Sequence, residues 1–136
     1  MNAHTLETEW GPRVLSILRI VAALIFMLHG TTKLLGFPAS DMSPAFMSLS
    51  WIAGVLELVG GALLALGLWT RPVAFILSGE MAFAYFIAHA PQSFFPVLNG
   101  GDAAILYCFV FFYIVFAGPG PWSIDAMRDR TGALAR

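Results

Sequence analysis

The stretch VLSILRIVAALIFMLHGTTKLL, residues 14–35, decides the fold. Its length matches the roughly 20 residues a helix needs to cross a hydrocarbon core of about 30 Å. Three further stretches of the same character follow, about residues 51–69, 72–90 and 103–122. The chain is 59% hydrophobic and 11% charged, whereas soluble domains carry about 25% charged residues. Together these features predict an all-α integral membrane four-helix bundle, a single transmembrane domain over residues 1–136. The lipid bilayer is then its first partner. A net charge of −1 gives no electrostatic attraction toward nucleic acid.

Between the stretches, the residues mark their own turns. Residues 1–12 read as a polar lead with Trp10 at the membrane entry, and Gly36-Phe37-Pro38 ends the first helix. Residues 39–50 read as a loop, with Phe46, Met47 and Leu49 against the bilayer surface. Trp51 and Trp69 bracket the second helix as an aromatic belt, and Pro72 opens the third after a tight reversal. Asp102 is placed to cap the fourth helix, which breaks at Gly118-Pro119-Gly120-Pro121 before a polar tail. The first stretch is too long for a signal-peptide core and lacks an Ala-x-Ala site, so it reads as a retained helix. With four crossings, one side of the membrane holds Arg13, Arg71, Arg128, Arg130 and Arg136, while the other holds Lys33. An excess of basic residues marks the cytoplasmic side, so both termini are expected in the cytoplasm.

A charge inside hydrocarbon costs on the order of 3 kcal/mol or more, so each one there needs a reason. Arg19, Phe26, His29 and Lys33 fall within an arc of about 80° on the first helix, a polar face expected to turn inward. At ~1.5 Å per residue, Arg19 lies roughly 9 Å and Glu80 roughly 12 Å from the cytoplasmic edge. His29 and Glu57 each lie roughly 9 Å from the outer edge, with Lys33 a turn further out. The count predicts two tiers: an inner Arg19–Glu80 ion pair and an outer cluster of His29, Lys33 and Glu57. Either tier has a purely architectural alternative, because a buried ion pair can serve only to fix helix register, and Lys33 can snorkel to the interface. The outer cluster combines a titratable His, a cation and a carboxylate. It is therefore the candidate catalytic set, and Arg19, His29, Lys33, Glu57 and Glu80 together form the candidate substrate-binding set.

Other chemistry finds little support. Cys108 stands alone, which excludes an internal disulfide, a redox Cys pair and a Cys zinc cage. His29 and His89 differ in depth by about 9 Å, and no second His pair exists to hold a haem between them. No haem or metal motif, dinucleotide loop or nucleophile elbow is present. Gly54, Glu57, Gly61 and Ala65 share one side of the second helix, the small-residue face suited to close helix contact.

Four motifs in this order carry a resemblance. They are Arg19 with His29-Gly30-Thr31-Thr32-Lys33-Leu34, the run Gly54-Val55-Leu56-Glu57-Leu58-Val59-Gly60-Gly61, Gly67-Leu68-Trp69-Thr70-Arg71, and Gly118-Pro119-Gly120-Pro121-Trp122-Ser123-Ile124-Asp125. From about Val14 to Asp125 the chain resembles the DoxX family. The resemblance implies a multi-pass protein of the bacterial plasma (inner) membrane, related to the membrane subunit of a thiosulfate:quinone oxidoreductase. Other members are associated with quinone, catechol or thiol stress. It implies quinone as the cofactor to test and a partner oxidoreductase subunit; a homo-oligomer is the other assembly to consider. By position it carries over Arg19, Gly30, Lys33, Glu57, Gly61, Arg71, Gly118 and Asp125. The rival class is a transporter of a small solute, proton or lipid, and a scaffold for a partner membrane protein is the third.

Overall fold

The computed structural model describes residues 2–134, which are helical wherever they are regular. Helix α1 spans Gly11–Leu35, α2 Leu49–Leu66, α3 Thr70–Ala84, α4 Asp102–Ala117 and α5 Ile124–Leu134. The helical path of α1 begins earlier, at Ala3–Thr5, and passes through a widened turn at Leu6–Trp10. The expected polar lead is therefore helical, with the Asn2 side chain accepting the Thr5 N–H as its cap. Helix α3 likewise runs on through a widened turn, Tyr85–His89. The polar tail forms α5.

Three helical runs are long and apolar enough to cross a membrane: Ala3–Leu35, Leu49–Leu66 and Thr70–His89. Helix α4 is apolar but shorter, 16 residues, or about 24 Å. The helix ends follow from their capping chemistry. Gly36, Gly67 and Gly118 all take positive φ just beyond a helix, conformations that carry no steric cost without a Cβ. Ser48 caps α2 by accepting the Trp51 N–H. Asp102, expected as a cap, is instead the first residue of α4, with Gly101 in the capping position and no side-chain bond.

Sequence neighbours pack side by side, α1 on α2 and α3 on α4, with α2 on α3 and α4 returning to α1. The core is thin and aromatic. Phe26 meets Phe111 edge-on, with centroids 4.9 Å apart, and Leu64, Ala74, Leu77 and Ile114 close around them. Large apolar side chains cover the outside of α1 to α4. That is the expected surface when the surrounding medium is acyl chain rather than water.

Helices α1 and α2 touch through glycine. A Cβ placed on Gly30 would lie 2.5 Å from the Leu58 backbone nitrogen, and one on Gly61 2.8 Å from Met27 Cγ. This is the close approach expected from the small-residue face of α2, and it brings Lys33 and Glu57 across the seam toward each other.

Candidate functional site

Lys33 and Glu57 form the one ion pair among the described residues, Nζ to Oε1 at 2.6 Å. Their side chains are 13% and 4% exposed, so the bond is largely withdrawn from solvent. The second oxygen of Glu57, Oε2, is buried without a hydrogen-bond partner. Both carboxyl oxygens of Glu80 are in the same condition. Glu80 lies within electrostatic reach of Glu57 and Lys33. One ammonium therefore faces two carboxyl groups in an apolar surround.

That position corrects the two-tier expectation. Counted from the α2–α3 turn they share, Glu57 and Glu80 lie roughly 14 and 15 Å away, on one level. Arg19 lies instead beside the last turn of α2. Its guanidinium donates to the Leu64 and Ala65 carbonyls and to those of Pro119 and Trp122. The sequence count fails because Arg13 and Pro72 are not level, since α1 begins well before Arg13. Arg19 is completely buried, and four carbonyl oxygens stand where a carboxylate was expected. Two of them are helix-end carbonyls, which lack partners within their own helix.

Arg71 and Asp125, from the later two motifs, do similar work at the same end. Arg71 Nη1 donates to the Val115 and Phe116 carbonyls, finishing α4. Asp125 accepts the Trp69 N–H at 3.0 Å and the Thr70 N–H at 2.8 Å, starting α3. Burial alone would raise the Asp125 carboxyl, but these backbone bonds and the nearby Arg128 outweigh it and hold the group below its ordinary range. Ser16 accepts the Trp122 N–H at 3.2 Å. A Cβ on Gly67 would lie 2.4 Å from Ser123 Cβ, so the glycine admits the 118–125 segment against the end of α2. Ser16 and Ser123 are uncharged and carry no reactive pattern in the sequence. Ser123 could have been found as a helix cap, since it stands just before α5 and its hydroxyl accepts the Ala126 N–H at 3.1 Å.

His29 lies within electrostatic reach of Glu57 but bonds to neither Glu57 nor Lys33. It is exposed, and its ring rests near Phe26 and Tyr107 at centroid distances of 6.3 and 6.0 Å. His89, at the far end of α3, meets the Asn99 carbonyl through Nδ1 at 2.9 Å and fastens the loop before α4. Buried Asn99 holds the same loop through the Ser93 carbonyl and the Gly101 N–H, each at 2.8 Å.

A cleft of about 520 Å³ opens between α2 and α3. Its walls are apolar, including Ile52, Leu56, Phe75 and Phe83, and its charged lining residues are Lys33 and Glu80. Those wall residues belong to the exposed apolar surface, so the cleft faces the acyl chains sideways. A site of this form suits a ligand with an apolar body and a small polar head.

The comparisons with known proteins bear on the same region. The DoxX family model matches residues 14–90, the span that carries Arg19, Lys33, Glu57 and Glu80. A Haemophilus influenzae protein described only as uncharacterized is 47% identical over 123 residues, covering 86% of this chain and 92% of the relative. The Escherichia coli inner membrane protein YphA is 39% identical over 69 residues. That match spans 46% of this chain and about half, 49%, of YphA. No solved structure matches the chain.

Proposed function

The chain belongs to the DoxX family of membrane proteins, and from that premise we propose that it is a component of a membrane redox system handling quinone or a sulfur or phenolic oxidant. In this reading four helices cross the bacterial inner membrane as one domain, α4 completing its crossing through the residues after Gly118. Both termini face the cytoplasm. The basic residues Arg13, Arg71, Arg128 and Arg130 then share that side; Arg136, counted with them in the sequence, lies outside the described residues. A partner oxidoreductase subunit supplies electrons, and the chain itself provides the lipid-side site.

The observation that carries this reading is the withdrawn Lys33–Glu57 pair, 2.6 Å long, beneath a cleft open to the bilayer. A quinone diffuses in lipid and presents carbonyl oxygens at one end of a greasy molecule. Lys33 supplies a cation and spare N–H donors for such an oxygen, and Glu57 accepts or returns a proton. His29 remains a proton donor only for a ligand that extends past Lys33 toward α4. Arg19 we assign to architecture, because its donors are spent on carbonyls.

The test is quinone reduction in vesicles with a supplied electron donor, comparing the wild type with Glu57→Gln. Turnover should fall by about 10²-fold or more if Glu57 handles the proton; unchanged turnover rejects that role. A second reading, transport of a small solute or proton, is favoured by one specific observation: Glu80 has no partner. Flux through liposomes holding the purified protein without any donor supports transport, and a strict requirement for the donor supports the redox reading.

A further inference from the structure

Glu80 poses a question of charge that the redox reading leaves unused. Its side chain lines the α2–α3 cleft, yet neither oxygen has a hydrogen-bond donor. The cation acting on it, Lys33, is already bonded to Glu57 at 2.6 Å. The groups facing Glu80 are Lys33 from α1 and Glu57 from α2, and α4 carries no charged side chain between Ala103 and Ala117. With all three groups ionised, the set carries one negative charge in excess. An ionised carboxylate without compensation in an apolar medium is costly, and it is relieved by a proton or by a cation.

The cleft is shaped for the second of these. Its volume of about 520 Å³ is bounded by aliphatic side chains and by Phe75 and Phe83, whose ring faces attract cations. Gly79, one residue before Glu80 on α3, has nothing within 4 Å of where its Cβ would stand, so the α3 wall of the cleft has room at that residue. The opening faces acyl chain, which selects for a ligand that partitions into the bilayer.

We infer that Glu80 is the anchor of an exchange site for a lipophilic monocation, a primary ammonium carried on an apolar body. Empty, the site holds a proton on Glu80. An ammonium entering sideways from the bilayer draws the carboxylate, whose oxygens are buried in the empty site, round toward the cleft, forms an ion pair with it and supplies the N–H donors it lacks. The displaced proton leaves to water. No bond to carbon is made or broken, and charge balances one for one. The inference is separate from the redox reading, which rests on Lys33 and Glu57 and is tested with an uncharged ligand.

The experiment uses the full chain in lipid nanodiscs. 4-Phenylbutylammonium is titrated by calorimetry and, in weak buffer, with a pH indicator; 4-phenylbutanol is the uncharged control. The expected result is saturable binding of the ammonium with one proton released per molecule bound. Affinity should weaken as pH is lowered, approaching about tenfold per pH unit for a one-proton exchange. Glu80→Gln should abolish the release and weaken binding by about tenfold or more, and Glu80→Asp should retain both in part. Binding of the ammonium without proton release, equal binding of the alcohol, or undiminished release in Glu80→Gln would each overturn the inference. Should Glu80→Gln fail to fold, proton release by the wild type decides the matter alone. A failure here leaves quinone reduction untouched, and a failure there leaves this titration intact.

Discussion

Lys33 and Glu57 share one bond but not one exposure, and removing either should have unequal effects. Lys33 is 13% exposed and stands in the last turn of α1, while Glu57 is 4% exposed and sits mid-helix. Lys33→Met strands a buried carboxylate, a loss of about 3–5 kcal/mol. Glu57→Gln leaves an ammonium that can swing toward the interface, at a smaller cost of about 1–3 kcal/mol. Denaturant titration in a mild detergent should rank Lys33→Met as the more damaging, and the reverse order would contradict the assigned depths. The identities of these residues were legible in the chain, because a charge in an apolar run draws notice by itself. Their partnerships were less so. Lys33 and Glu57 follow from depth and glycine spacing, whereas the misassigned Arg19–Glu80 pair shows that a count from two different helix starts does not fix a common level.

Helices meet here through absent side chains and capped ends, and both can be tested separately. Gly30→Val should push α1 from α2, because even a Cβ would meet the Leu58 nitrogen at 2.5 Å. A loss of about 1–3 kcal/mol is expected for such overpacking, with the Lys33–Glu57 bond broken as a consequence. Gly79→Ala is the control: its Cβ meets nothing within 4 Å, so stability should hold or rise slightly.

Asp125 caps α3 from outside the apolar core, and Asp125→Ala should cost about 1 kcal/mol at neutral pH. The carboxyl is held below its ordinary value of 3.8, so its contribution is full above that value and disappears as pH falls through the lowered one. Melting temperature followed against pH should fall less on the acid side in Asp125→Ala than in the wild type. Parallel acid limbs would show that the cap is not made. The helices themselves were readable from hydropathy to within a few residues. The early start of α1 and the helical tail were not, since polar segments at either end show no apolar run.

On the scale of the whole molecule, one end is stitched and the other holds the cleft. Arg19, Arg71 and Asp125 bind backbone groups across helices at the end carrying the α2–α3 turn. The motifs that gave the family resemblance at that end are therefore a fastening, which explains how they could be recognised without disclosing a reaction. The proposed orientation puts that fastened end in the cytoplasm. A reporter active only in the cytoplasm should work when joined after residue 134 and fail when inserted near Asp41. The opposite pattern would invert the topology.

A lone carboxyl group, Glu80, lines the lipid-facing cleft beside a carboxylate already bonded to Lys33. A lipophilic carbodiimide, which reacts with carboxylic acids inside membranes, addresses both groups in one sample. Peptide mass spectrometry of protein treated in its native membrane should find the adduct on Glu80, with Glu57 spared. Adduct on Glu57 with Glu80 unmodified would contradict the arrangement.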